Sequence, residues 1–124
     1  MQPLRVPTGW RIDWNTLFEV DPTEENVRRG YFGGSSLFSA THENRRFWID
    51  VGWRPEGDPA GCYRMRIEYA PWERTERGHR RKNVELHFQN AEVVHEFQTL
   101  SRGELVRELE NWLLRCAEWV REGS

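Results

Sequence analysis

Residues 47–69, FWIDVGWRPEGDPAGCYRMRIEY, carry the clearest alternation of apolar and polar positions in the chain. Phe47, Ile49, Val51 and Trp53, then Tyr63, Met65, Ile67 and Tyr69, fall on one parity, while Trp48, Asp50, Arg64, Arg66 and Glu68 fall on the other. A period of two kept on both sides of one loop predicts a half-buried antiparallel hairpin. The loop at 54–61 holds two prolines and two glycines, which set the chain reversal, and two acids, Glu56 and Asp58, with no evident partner within the loop.

The same pattern recurs upstream. Trp10, Ile12 and Trp14 alternate with Arg11, Asp13 and Asn15, predicting a strand over 10–20, and the parity shift at Leu17 and Phe18 predicts a bulge or twist there. Asp21, Pro22 and Glu24 fit a helix cap, a proline at the first helical position and a capping box, and Gly30 supplies a stop, so a short helix over 22–29 is expected. The Gly/Ser-rich stretch GYFGGSSLF then reads as a connector pinned by Tyr31 and Phe32. Residues 36–41 read as a strand that turns through residues 42–45 into the hairpin.

Downstream, PWERTERGHRRKN lacks periodicity and reads as a solvated loop over 71–83. NVELHFQNAEVVHEF is expected to fold back on itself at Asn90 and Ala91, setting Phe88 by Val93, Leu86 by His95 and Val84 by Phe97. That register also places Glu85 opposite Glu96, an unfavourable like-charge pair. The last segment changes period. Ser101 and Glu104 form a capping box ahead of Leu105, Leu109, Trp112, Leu113, Cys116 and Val120, so an amphipathic helix is predicted over 102–121. The sheet is the large apolar surface on which its stripe can lie. The fold class is therefore α+β: an antiparallel sheet of five or six strands, a long C-terminal helix on one face and a short helix after strand one, in a single domain spanning 1–124.

Composition narrows the reading further. At 124 residues, with 31% charged and 37% hydrophobic content, the chain can bury a core without disulfides or metals. The formal net charge of −2 provides no overall field toward nucleic acid or anionic membrane. The first ten residues lack the apolar segment of a signal peptide, and no apolar run approaches the roughly 20 residues of a membrane span. Two cysteines make no disulfide framework, so a cytoplasmic location with Cys62 and Cys116 reduced is expected, a 62–116 bridge in a secreted form being the alternative.

Little chemistry stands out. No two of His42, His79, His87 and His95 are spaced as metal ligands, so neither a metal nor another cofactor is expected. Cys116 belongs to the apolar helix stripe, and Cys62 reads as structural although Arg54 and Arg64 are near in sequence. Two surfaces remain. Trp72, Arg74, Arg77, Arg80, Arg81 and Lys82 form a basic loop with an aromatic beside it, a pattern that can hold a nucleic-acid backbone and stack a base. The polar face of the hairpin, with its loop, gathers Trp48, Asp50, Arg54, Glu56, Asp58, Arg64 and Arg66. Tryptophan and arginine ringed by charge are enriched where proteins bind proteins, unless strand one or the 31–34 loop covers Trp48.

The succession GWRIDWNTLFEVDP, FWIDVGWRPEGDPAGCYRMRIEY and a capped, Trp-bearing C-terminal helix is similar to small immunity proteins of bacterial contact-dependent and other polymorphic toxin systems. The resemblance is one of style and order over most of the chain, and no binding residue is carried over by position. It implies a cytoplasmic α+β protein without enzymatic activity that binds one cognate toxin domain and blocks it. Glu56 and Asp58 could then face a catalytic Lys, Arg or His of the toxin. A small nucleic-acid-binding module acting through the basic loop is the alternative, and an enzyme with a pocket between sheet and helix is a third.

Overall fold

A computed structural model describes residues 1–34, 36–71, 86–89 and 91–118. Five strands, β1 (Trp10–Asn15), β2 (Phe38–His42), β3 (Phe47–Arg54), β4 (Cys62–Tyr69) and β5 (Glu92–Thr99), form one antiparallel meander in sequence order. Two helices complete it, α1 (Glu24–Arg28) after β1 and α2 (Arg102–Glu118) after β5. Among the described residues no helix is long and apolar enough to cross a membrane.

The β3–β4 hairpin has the predicted register, pairing Phe47 with Tyr69, Ile49 with Ile67, Val51 with Met65 and Trp53 with Tyr63. All eight of these side chains are buried. They form the floor on which Leu105, Leu109, Leu113 and Cys116 of α2 lie, one helix stripe filling one sheet face. Burial pushes the Cys116 thiol up to about 12, which makes it an inert core group, and both cysteines are free.

Polar contacts pin α2 at several points. Trp10 of edge strand β1 donates its indole N–H to the Leu113 carbonyl at 2.8 Å, and Arg102 donates to Asp21 at 3.0 Å. On β5, His95 stacks on Trp112 with ring centroids 4.5 Å apart. Glu108 lies 3.2 Å from His95 Nε2 and accepts the Trp112 indole N–H at 3.0 Å. The capping box at Ser101 forms by one arm. Its hydroxyl accepts the Glu104 N–H at 3.1 Å, but its own N–H is taken by Thr99 Oγ1 at 3.0 Å rather than by Glu104.

Several expectations are corrected. β1 ends at Asn15, and its irregularity falls between Ile12 and Trp14, not at Leu17–Phe18. Ile12 faces Ala40 while Trp14 faces Ser39, so two steps on β1 match one on β2 and Asp13 is the extra residue. Asp13 accepts from Thr41 Oγ1 at 2.6 Å and from Arg11 Nε at 2.8 Å, a cross-strand tie that holds the bulge. The cap of α1 is Thr23, whose Oγ1 accepts the Asn26 N–H at 3.1 Å, because Asp21 is engaged with Arg102. Gly30, with φ of +91°, follows the helix as predicted.

The hairpin expected over 84–97 does not form as drawn. Residues 86–89 carry no strand, and Val84 and Glu85 lie outside the described residues. His95 pairs with Ile67, Phe97 with Met65 and Glu96 with Arg66, so β5 joins the sheet against β4 and not against residues 86–89. A second bulge sits in β5, where Val94 is the extra residue between His95 and Val93.

Tyr63 exposes a specific imbalance in the core. Its hydroxyl is buried and finds no hydrogen-bond partner among the described residues, and burial raises its pKa to about 12. Removing an unsatisfied buried hydroxyl while keeping the ring should leave stability unchanged or raise it by up to about 1 kcal/mol. Tyr63→Phe is therefore expected to match or exceed the wild-type denaturation midpoint. A loss of more than about 1 kcal/mol would mean that the hydroxyl is hydrogen-bonded.

Candidate functional site

With α2 covering one face, the opposite face of the sheet carries the residues the hairpin pattern set aside. Trp48 stands at its centre, half-buried. Its indole N–H donates to Ser39 Oγ at 2.8 Å, and its ring lies 6.1 Å from that of Phe88. Phe88 thus covers part of Trp48, and Arg11 of β1 and Leu86 line the recess beside it. The Asp13 bulge adds a second tryptophan to this face. Trp14 lies beside Ser39 with 54% of its surface exposed, its indole N–H bonded to Thr16 Oγ1 at 3.1 Å. Ser39 therefore sits between two tryptophans contributed by β1 and β3.

Beside Trp14 opens a cavity of about 610 Å³ lined by Trp14, Thr16, Phe18, Tyr31, Ser36 and Ser39 together with glycines of the 30–34 loop. Phe18 and Tyr31 meet edge to face at 5.2 Å, and among the described residues no carboxylate, Lys, Arg or His lines the space. A concave wall with three aromatic rings and three aliphatic hydroxyls suits an apolar group that must also be oriented.

Ser36 links this cavity to a second one. Its hydroxyl donates to Asp50 at 2.6 Å, and Asp50 lines a smaller notch of about 230 Å³ with Gly52, Arg54, Arg64, Arg66, Glu96 and Gln98. Burial raises the Asp50 pKa, while the Ser36 hydrogen bond and the charges of Arg54 and Arg66 oppose that shift. The sign for stability follows. A carboxyl whose folded pKa lies above its unfolded value of about 3.9 binds its proton first in the folded state. Its contribution is fully present below the unfolded value and is lost as pH rises through the folded one. The stability of wild type relative to Asp50→Asn should accordingly improve as pH falls through that window, measured by urea midpoints from pH 7 to 4. A difference that is flat with pH would show that Asp50 is not penalised by burial.

The predicted loop acids are not unpartnered. Glu56 lies 3.5 Å from Arg54, and Asp58 Oδ1 accepts the Ala60 N–H at 2.9 Å. The Asp58 carbonyl also accepts the Trp53 indole N–H at 2.7 Å, and the Gly57 N–H donates to the Phe32 carbonyl at 3.2 Å. The loop is thus tied to the core and to the 31–34 segment, with its acids at the rim. Arg66 lies 3.8 Å from Glu96, whereas Arg64 is exposed and makes no hydrogen bond or ion pair among the described residues.

The structure brings Trp48, Asp50, Arg54, Arg64 and Arg66 onto one face with the 54–61 loop at its edge. It adds Trp14, Phe18, Tyr31 and Ser36, which sequence reasoning did not assign. The one signal for Phe18 and Tyr31 was their aromatic character next to a glycine-rich stretch; Trp14 had none, since its parity argued for the helix face. Trp72, Arg74, Arg77, Arg80, Arg81 and Lys82 lie outside the described residues. Cys62 is half-buried opposite Arg54, its sulfur 3.8 Å from Gln98 Oε1. Among the described residues, no three His, Cys, Asp or Glu side chains are grouped so as to hold a metal ion. No protein-family profile, curated protein or solved structure matches the chain.

Proposed function

We propose that this protein is a non-enzymatic immunity protein that acts in the cytoplasm by binding a cognate bacterial toxin domain and neutralising it. One observation carries the reading: the sheet face turned away from α2 presents Trp14 and Trp48 together with Arg64 and Arg66, beside a cavity of about 610 Å³ whose described lining carries no charged side chain. Tryptophan and arginine around a pocket are the residue types and the setting of binding hot spots. A tryptophan with over half its surface in solvent and no role in the core contributes little to folding, so its place on this face is better accounted for by a partner. Glu56 and Asp58 lie at the rim, where charges act on encounter rate and specificity more than on affinity.

The test is protection. The toxin domain encoded beside this gene is expressed in a susceptible cell with wild type or with Trp14→Ala/Trp48→Ala. Wild type should restore growth, and the double variant should lose protection while keeping a folded near-UV spectrum. Each truncated hot-spot tryptophan is expected to weaken binding about 30-fold or more. Full protection by the double variant, or none by wild type, would reject the reading.

A further inference from the structure

The notch beside the aromatic cavity has a defined donor arrangement. Gly52 leaves the strand without a side chain on this face, and a Cβ there would lie 3.1–3.3 Å from the Arg54 guanidinium. Arg54 is therefore folded across the space that Gly52 vacates, with Nη1 donating to the Trp53 carbonyl at 3.1 Å. In register across β4 and β5, Arg64 lies between Gly52 and Gln98, and Arg66 lies between Asp50 and Glu96.

The acceptors among the described residues are already committed. Asp50 is half-buried and receives the Ser36 hydroxyl, and Glu96 reaches Arg66 only at 3.8 Å. Each guanidinium offers five N–H donors in a planar fork that matches a carboxylate bidentately. Arg54 is engaged by Glu56 at 3.5 Å, whereas Arg66 has Glu96 only at 3.8 Å and Arg64 makes no hydrogen bond or ion pair among the described residues. An ammonium or guanidinium entering beside Arg64 would meet a like charge that no carboxylate of the described residues pairs. A carboxylate would complete a donor set already in place, most directly at Arg64.

We propose that this notch takes an acidic side chain of the partner protein, an Asp or Glu carboxylate received by Arg64 and Arg66, while an apolar side chain next to it enters the Trp14 cavity. The inference rests on the reading of this face as a partner surface and gives that partner a chemistry: a short apolar–acidic element, rather than the cationic group that Glu56 and Asp58 alone would suggest. Ser36 lines the cavity and is bonded to Asp50 in the notch, so the two subsites adjoin.

The experiment measures affinity of the full chain for the toxin domain encoded beside the gene, using wild type, Arg64→Glu/Arg66→Glu and Trp14→Ala, with thermal midpoints as the folding control. Both arginines are exposed, so the charge reversal should fold as wild type does. Binding should weaken about 30-fold or more in the charge-reversed variant. It should be regained in part when an acidic residue of the toxin domain is changed to Lys. Unchanged affinity in the charge-reversed variant, with loss in Trp14→Ala, would overturn the notch assignment and leave the partner surface standing. No binding by wild type would reject the partner reading itself. A third arm titrates wild type with sodium acetate and with inorganic phosphate while following the arginine Nε–H resonances. Saturation of Arg64 and Arg66 by either anion, with toxin-domain affinity unaffected by its presence, would assign the notch to a small free anion and overturn the proposal.

Discussion

Trp53→Ala should be among the most damaging single substitutions in this protein, lowering stability by about 3–5 kcal/mol. Trp53 closes β3 with 1% of its surface exposed, and its ring lies 4.8 Å from Phe32 and 5.2 Å from Tyr63. Three segments therefore meet on one indole: the 31–34 connector, β4 and the 54–61 loop, whose Asp58 carbonyl takes the indole N–H. Gly61 shows how tightly the loop closes, since a Cβ at that position would lie 2.5 Å from Trp53 Nε1 and 2.7 Å from the Arg54 carbonyl oxygen. Truncation would open a cavity that these segments cannot fill without moving. Trp53→Phe separates the contributions, because it keeps most of the ring and loses the hydrogen bond and some volume; a loss of about 1–3 kcal/mol is expected. Urea midpoints at constant slope measure both. If Trp53→Ala fell within about 1 kcal/mol of wild type, the loop would not depend on this indole.

Leu109→Ala is the second large effect, at about 2–5 kcal/mol. Leu109 is fully buried midway along the α2 stripe, between Leu105 and Leu113, against the β3–β4 floor. Leu114, one residue beyond Leu113 on the outer side, is 46% exposed, and Leu114→Ala should stay within about 0.5 kcal/mol. The pair distinguishes packing from helix propensity, since the chemical change is the same at both sites. Equal midpoints for the two variants would mean that α2 is not seated on the sheet by this stripe. Because the helix occupies that face, the opposite one is left to present Trp14, Trp48 and the arginines, so the core and the proposed partner surface are consequences of one packing choice.

His42 gives a further check through pH. It is buried, its Nδ1 accepts the Arg45 N–H at 3.2 Å, and burial, followed by the Arg45 charge, holds its pKa below the ordinary value of about 6.5. A histidine held neutral in the fold supports stability fully above the unfolded pKa and loses that support as pH falls through it toward the folded value. Its imidazole resonance should accordingly titrate below the ordinary midpoint. A midpoint at or above about 6.5 would contradict this burial.

Local pattern by itself determined the β3–β4 hairpin, the α2 stripe and the α+β class, because each is a periodicity whose apolar side has a single economical place to go. Phe47 to Tyr69 and Leu105 to Cys116 are legible as faces before any contact is known. The pattern failed where a contact distant in sequence overrode it. Asp13 is tied to Thr41, 28 residues on, and the resulting bulge turns Trp14 from the helix face to the opposite one. Asp21 is drawn from α1 to Arg102, which leaves the cap to Thr23. β5 pairs with β4, where it can add His95 and Phe97 to the helix-facing layer, instead of with residues 86–89. The candidate site is almost wholly of this second kind. Trp48, Asp50, Arg64 and Arg66 could be placed on one face from their parity, but Trp14, the Ser36–Asp50 link between cavities and the seat of Arg54 over Gly52 arise only when separate strands are brought together. Alternation is a property of the chain, whereas a pocket is a property of the strands that happen to adjoin.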